Sequence, residues 1–399
     1  MGKRVGIEEL TLGMTVTALD RSWLETPFLR HRMRVTKAEQ IEKLKSCGVR
    51  YVEVEAGDAP QEAPPPLESL DPQTLASPAD SAEPAPGIPY HEELRVARQV
   101  YRAAKLAVEQ AMQDVRMGKE INTDVCGSVV ENLADSVLRN PNALTSLSRL
   151  KSFDQYTFFH SVNTSILAMT LGYRLGFDRA GLHLLGMGAL LHDVGKMTVP
   201  IEILNKPGRF RPDEYEIMKQ HALRGAEILT RTTGMHEDVI RPALEHHERV
   251  DGTGYPFKRK GADLSQYGLI SSIVDIYDAI TSDRVYHKAV PAHRAVQFLY
   301  ALSQRGQLDH GLVQHFVRSV GIYPVGSCVR LNTREIALVK EIHPENLLSP
   351  IILIIRERET SLMVPPLEVD LANQWGKSRT IEDVLDPREY GIRPSDYLD

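Results

Sequence analysis

The run Leu182-His183-Leu184-Leu185-Gly186-Met187-Gly188-Ala189-Leu190-Leu191 passes straight into His192-Asp193, and this junction constrains the chain more than any other stretch. A segment so apolar reads as a buried helix. An imidazole and a carboxylate carried at its end leave water with it, and a buried carboxylate without a partner is costly. The fold must therefore bring partners to this point from elsewhere in the chain.

Candidates for that role sit on similar segments. His160 lies among Phe158, Val162, Ile166, Leu167 and Met169 at near-helical spacing, and Asp275 lies in Ser271-Ser272-Ile273-Val274-Asp275-Ile276-Tyr277-Asp278-Ala279-Ile280. His221, His246 and His247 complete the set. Neutral imidazoles and carboxylates are the groups that bind borderline or hard divalent ions. Any one of them could instead be a core residue bonded to backbone, but a shared cation satisfies all of them at once. The string His246-His247-Glu248-Arg249-Val250-Asp251-Gly252-Thr253-Gly254-Tyr255-Pro256 joins two of these imidazoles to a glycine-proline loop. There Gly252 and Gly254 permit positive φ or close backbone approach, Pro256 fixes φ, and Tyr255 offers a flat face or a hydroxyl. A plain turn would use the same residues.

These stretches carry a resemblance. Leu191-His192-Asp193-Val194-Gly195-Lys196, then His221, the His246 to Pro256 string, and Asp275-Ile276-Tyr277-Asp278-Ala279-Ile280-Thr281-Ser282-Asp283-Arg284 closely resemble the HD-GYP family, which hydrolyses the bacterial second messenger cyclic di-GMP. The resemblance covers roughly residues 90 to 320. The first 55 residues also resemble the small domain that precedes the catalytic domain in one subgroup, with Leu19-Asp20-Arg21-Ser22-Trp23-Leu24 and Thr26-Pro27-Phe28-Leu29 as its phrases.

The resemblance implies a site. Two divalent ions, iron or manganese, would be bridged by Asp193, with His160, His192 and Asp275 around one and His221, His246 and His247 around the other. A bridging water or hydroxide would attack phosphorus, since a metal pair can supply that nucleophile and neutralise phosphoryl charge. Lys196, about a turn beyond His192, would contact the phosphate or the hydroxide; Gly254, Tyr255 and Pro256 would shape the substrate loop. Arg284 and Lys288 would clamp phosphates. Some relatives that look trinuclear carry a Glu four residues before the first His ligand. Tyr156 stands there in this chain, and Asp154 should point away from that helix face. A phenol is a poor ligand at neutral pH, so two ions are expected rather than three.

Composition narrows the alternatives. With 399 residues and 42% hydrophobic content the chain can bury a large core in two or three domains. A net charge of -6 argues against a nucleic-acid polymer as partner, although Lys206, Arg209 and Arg211 are locally basic enough to attract an anionic dinucleotide. Cys47, Cys126 and Cys328 are too scattered for a disulfide framework or a cysteine zinc site, which suits a reducing cytoplasm. The first residues lack the apolar core of a signal peptide, and no run approaches the ~18 apolar residues of a membrane helix, so membrane insertion is not expected.

The expected class is mainly α. Residues 1–55 should form a small α+β module, with β-prone Met14 to Leu19 and Tyr51 to Val54 and a helix near Lys37 to Ser46. Residues 56–89 hold nine of the 24 prolines and neither Lys nor Arg, so they read as a linker. Residues 90–322 read as an all-helical HD-type catalytic domain, and 323–399 as a short β appendage and tail. The stripe Ala97, Tyr101, Ala104, Val108, Ala111 and Val115 suits packing on the domain's own core, a homodimer or a signalling-protein contact being its other use. Two other functions compete with a cyclic di-GMP phosphodiesterase. One is a catalytically silent receptor for the dinucleotide, for which a complete ligand set would be superfluous; the other is an HD-type nucleotide phosphohydrolase, which would not need the Gly-Tyr-Pro loop.

Overall fold

The computed structural model describes residues 3–10, 14–19, 33–35, 38–47, 49–54, 87–148, 156–206, 210–282, 289–357, 363–373, 376 and 378–398. It divides into two compact units, Met1–Pro64 and Pro65–Asp399. In the first, strands β1 (Lys3–Gly6), β2 (Thr15–Leu19), β3 (Met33–Arg34) and β4 (Tyr51–Val54) form an antiparallel sheet in the order β1-β4-β2-β3. Helix α1 (Ala38–Ser46) supplies Leu44 to a core completed by Val5, Val16, Val35, Val49, Val52 and Val54. The stretch read as a linker lies, through residue 86, outside the described residues, as do the two N-terminal phrases beyond Leu19.

The second unit is helical from Tyr90 to Val320 in its described residues. In order come α2 (Tyr90–Arg116), α3 (Thr123–Arg139), α4 (Pro141–Leu147), α5 (Tyr156–Arg174), α6 (Arg179–Leu191) and the short α7 (Ile201–Leu204). Then follow α8 (Pro212–Arg231), α9 (Glu237–Glu245), α10 (Gln266–Thr281), α11 (Ala292–Gln304) and α12 (His310–Val320), with a last turn α13 at Ser395–Leu398. Side chains stop several of these helices from fraying. Asn122, Asp178, Ser265 and Asp309 each accept an orphan amide hydrogen of the first turn, from Val125, Gly181, Gly268 and Leu312.

Two apolar clusters build the helical part of this unit, and α5 and α6 belong to both. On one side Val162, Ile166, Leu182 and Leu190 pack with residues of α2, α3 and α9; on the other Leu167, Leu171, Leu185 and Ala189 pack with α10, α11 and α12. The helices that carry His160 and lead into His192 are thus held from two sides. The α2 stripe is taken up here, with Ala97, Ala104, Val108 and Ala111 buried in the first cluster and Tyr101 and Val115 packed on it.

Beyond α12 the chain forms β5 (Cys328–Leu331), β6 (Ile336–Glu341), β7 (Ile351–Arg356), β8 (Met363–Asp370) and β9 (Ile381–Leu385), ordered β8-β7-β6-β5-β9. Its inner strands β5, β6 and β7 are buried on both faces. Val329, Leu331, Ala337, Val339, Ile352 and Ile354 join the α10–α12 cluster, while Cys328, Ile336, Leu338, Leu353 and Ile355 pack with Leu385 and Ile392. Two-sided burial accounts for the unbroken apolar run Ile351 to Ile355, and it makes the sheet part of the catalytic unit's core rather than a loose attachment. Strands β8 and β9 are the two edges. Pro365 and Pro366 in β8 fall where its pairing with β7 shifts register between Ile354 and Arg356, a position that tolerates proline.

The second unit closes on itself at its start: Asn140 Nδ2 donates to the Ile88 carbonyl at 3.0 Å, and buried Glu93 accepts from Arg139 and Ser136. A chain lacking residues 1–86 should therefore fold, with a thermal midpoint within a few degrees of the full chain's and the same bound metal per chain; aggregation of the fragment would contradict the division.

Candidate metal centre

Helices α6 and α9 end at the centre of the second unit, and their C-caps are His192 and His246. The negative end of a helix dipole favours a cation there. At His192 the chain leaves the helix. Asp193 caps a tight 3-10 turn, Val194–Thr198, so Lys196 is placed by that turn rather than by the continuous helix its spacing suggested. The turn crosses α8 very closely: a Cβ on Gly195 would stand 2.0 Å from the His221 carbonyl oxygen and 2.4 Å from the Gly225 nitrogen. Only glycine lets the His192-Asp193 corner reach the helix that carries His221.

All seven residues expected as ligands converge. Their donor atoms form three overlapping groups, His221-His246-His247, His160-His192-Asp275 and His192-Asp193-His246, with the atoms of each group within 4.8 Å of one another. Asp193 stands between them. Its Oδ1 lies 3.5 Å from His221 Nε2 and 3.8 Å from His246 Nε2, whereas its Oδ2 lies 3.3 Å from His192 Nε2 and 3.7 Å from His160 Nε2. Asp275 Oδ1 joins the second pair, 3.1 Å from His160 Nε2 and 3.8 Å from His192 Nε2.

The other ring nitrogens are already engaged. Nδ1 of His192 lies 2.7 Å from the Ala189 carbonyl, that of His221 2.6 Å from Met218, and that of His246 2.8 Å from Pro242. A carbonyl can only accept, so in the neutral ring each Nδ1 carries the hydrogen and each Nε2 presents a lone pair to the centre. His221 and His246 thereby aim two Nε2 atoms at each other across 3.3 Å. Without a cation these lone pairs would repel; imidazoles sharing one ion at bonds of about 2.0–2.1 Å stand roughly this far apart. His160 Nδ1 donates instead to Asp278 Oδ2 at 2.8 Å.

Protonation follows burial and charge. Burial lowers His221, takes His246 down to about 3 with help from His192, and holds His247 well below the usual imidazole value. Burial opposes ionisation of Asp193 and Asp275, but Lys196 and His192 beside the first, and His160 bonded to the second, hold both well below the usual carboxylate range. Burial also works against a charge on His160, yet the flanking carboxylates of Asp275 and Asp278 lift it to about 9. A cation would replace its Nε2 proton.

The residues fit a divalent metal. His192 Nε2 and Asp193 Oδ1 are buried and have no hydrogen-bond partner among the described residues, which is an unfavourable arrangement for two polar atoms unless an ion takes them up. Neutral imidazoles with a few carboxylates form the mixed N/O shell that divalent transition metals accept.

The loop above the centre is tied down by groups that the sequence did not single out. Glu248 accepts from the amides of Phe257 at 2.7 Å and Arg259 at 3.2 Å, and Arg249 donates to the Glu248 carbonyl at 2.7 Å and to the Ser272 hydroxyl at 2.8 Å. Buried Glu245 accepts from the Ser265 amide and hydroxyl and from Arg259, joining the end of α9 to the start of α10. Gly252 has φ +81°, the Tyr255–Pro256 peptide is cis, and a Cβ on Gly254 would stand 2.4 Å from the Arg249 nitrogen. Gly254 therefore serves the packing of its own loop. Tyr255 lies half-buried over His247, with ring centroids 4.6 Å apart. Tyr215 of α8 meets it edge-on at 6.5 Å, and Lys219 Nζ lies within 5.8 Å of both tyrosine rings. Tyr215 and Lys219 gave no signal because they occupy the solvated face of an amphipathic helix.

Other expected residues pair elsewhere or lie beyond the described residues. Lys206 pairs with Glu214, and Arg211 with Asp213 and Glu214, so these cations are neutralised locally instead of forming an attracting patch. Arg209, Arg284, Lys288 and Asp154 lie outside the described residues, as does the side chain of Tyr156. No described helix is long and apolar enough to cross a membrane.

Residues 128–312 match the HD domain family, and residues 2–126 match a domain of unknown function, DUF3391. Over 386 residues, 96% of this chain and 92% of the relative, the sequence is 36% identical to a cyclic di-GMP phosphodiesterase of Pseudomonas aeruginosa. A 3'3'-cGAMP-specific phosphodiesterase of Vibrio cholerae is 32% identical over 165 residues, 41% of this chain and 38% of the relative. Among solved structures, an HDG"Y"P protein from Bdellovibrio bacteriovorus is similar with a TM-score of 0.47 and 17% identity, covering 79% of this chain and 98% of that one.

The contact at Gly195 can be tested. Gly195→Ala should destabilise the chain by about 2–3 kcal/mol in chemical denaturation and lower bound metal, because the backbone must retreat from α8. Gly225→Ala, whose added carbon would stand no closer than 3.3 Å to anything, should cost less. Equal effects would show that the close crossing does not position the centre.

Proposed function

This chain belongs to the HD-GYP family of cyclic di-GMP phosphodiesterases, and we propose that it hydrolyses the phosphodiester bonds of cyclic di-GMP at a dinuclear centre bridged by Asp193. The observation that carries the reading is the placement of the two Asp193 oxygens before different pairs of imidazoles. His160, His192 and Asp275 would hold one ion, and His221, His246 and His247 the other, with iron or manganese suited to both shells. Bound ions would supply a hydroxide at neutral pH and offset the charge that builds on the phosphoryl oxygens.

The chain's own residues do the rest. The carbonyls of Ala189, Met218 and Pro242 fix three imidazoles in the tautomer that faces the centre, so no reorganisation is needed when ligands engage. Lys196 pairs with Asp193 at 2.5 Å while a quarter exposed, so its ammonium can pass hydrogen bonds to an arriving phosphate. The Tyr255 phenol, pushed above its ordinary value by burial, stays neutral and presents a ring face suited to a purine. Arg284 and Lys288 are proposed as further phosphate contacts. No disulfide joins Cys47, Cys126 and Cys328, which suits a reducing cytoplasm for the protein.

Asp193→Ala should lower turnover of cyclic di-GMP by well over the ~100-fold typical of changes outside the ligand set, and should lower bound metal as well. Product formation from cyclic di-GMP, 3'3'-cGAMP and nucleoside triphosphates, measured side by side with metal analysis, checks this. Near-normal turnover in the variant would refute the bridge, and preference for a triphosphate would refute the substrate.

A further inference from the structure

Behind His160 a chain of hydrogen bonds leaves the metal centre and ends on α2. Asp278 Oδ2 accepts from His160 Nδ1 at 2.8 Å; its other oxygen accepts from Asn163 Nδ2 at 3.0 Å; and Asn163 Oδ1 accepts from the Tyr101 hydroxyl at 2.7 Å. The polarity of this chain is forced. A carboxylate donates nothing, so Asn163 must turn its amide nitrogen to Asp278 and its oxygen to Tyr101, which must donate. Burial and the nearby Asp278 push the Tyr101 phenol above its ordinary value, so it keeps its hydrogen. Asn163 and Asp278 are each only 1% exposed.

Tyr101 is also fixed as a body. Its ring stacks on Phe159, the neighbour of His160, at 6.2 Å between centroids, and Lys105 of the same helix lies 4.3 Å over the Phe159 ring. Helix α2 packs on α5 and on the Val194–Thr198 turn that carries Lys196. The match to the N-terminal domain family runs from residue 2 to 126 and so takes in α2 whole. One helix thus belongs by sequence with the N-terminal module and by contact with the metal centre.

We propose that Tyr101 and Asn163 are positioning residues for the metal centre, through which the placement of α2 sets the affinity of the His160 side for its ion. A shift of α2 that draws the Tyr101 hydroxyl away frees the Asn163 amide to rotate, and Asp278 then no longer holds the His160 ring in one orientation with Nε2 toward Asp193 and Asp275. The proposal rests on the metal-centre reading above.

The test is titration of the full, chelator-stripped chain with Mn2+, free ion being followed by its magnetic resonance signal. Tyr101→Phe keeps the ring on Phe159 and removes only the hydroxyl; it should weaken binding of the tighter-affected ion about tenfold, the low end for groups behind a ligand. Asn163→Leu should do the same or more. Tyr90→Phe, on the same helix, removes a hydroxyl that donates to Ser146 Oγ at 2.9 Å and has no link to this chain of bonds, so it should leave Mn2+ affinity unchanged. The metal-free Tyr101→Phe chain should unfold within a few degrees of the unaltered chain, the cost of one unmade hydrogen bond. Unaltered Mn2+ affinity in Tyr101→Phe, or an equal loss in Tyr90→Phe, overturns the proposal. An unaltered chain that takes up neither Mn2+ nor, in an anaerobic titration, Fe2+ overturns the metal-centre reading and this proposal with it.

Discussion

The carboxylate of Asp193 is 1% exposed and faces four imidazole nitrogens, and the arrangement of the second unit follows from that burial. An anion so far from water must be balanced. Lys196 pairs with one oxygen, while the other has no hydrogen-bond donor among the described residues. Balance by cations requires imidazoles that are neutral and correctly turned. The protein achieves the turning with the last carbonyls of α6 and α9 and with a carbonyl of α8, groups whose direction is set by the helix axis. Helix orientation, imidazole tautomer and metal affinity are therefore one constraint.

Part of this arrangement was legible in the sequence. Titratable groups within apolar helical runs signal partners, and His160, His192, Asp193, His221, His246, His247 and Asp275 were found on that ground together with the HD-GYP spacing. The fold class was legible for the same reason, because period 3.6 persists through the catalytic region. The groups that aim the ligands were not legible. A backbone carbonyl has no residue type, and the near-contact of Gly195 with α8 depends on two segments meeting in space. Asp278 carried a faint signal, three residues after Asp275 on one helix face. Edge strands β8 and β9 carry little signal of their own, because prolines and acidic residues, tolerated at an edge, mask the alternation that marks a central strand.

The loop from Arg249 to Pro256 shows how one sequence phrase can divide its tasks. Gly252 and Gly254 serve the turn itself, Glu248 and Arg249 anchor it, and Tyr255 is left as the residue with an accessible face. Tyr215 and Lys219, which lie beside the Tyr255 ring, belong to α8, the helix that also supplies His221. The candidate metal centre and the face of Tyr255 thus share one helical support, which favours a site held to close tolerance.

The central claim is that Asp193 bridges two ions. Anomalous difference maps from crystals grown with Mn2+ or Fe2+, recorded on both sides of the metal edge, test it most directly. The account predicts two peaks flanking the Asp193 carboxylate about 3.5–4 Å apart, one beside His160, His192 and Asp275 and the other beside His221, His246 and His247. A single peak, or a pair that does not share Asp193, would contradict it, and a third peak beside Tyr156 would contradict the expected number of ions.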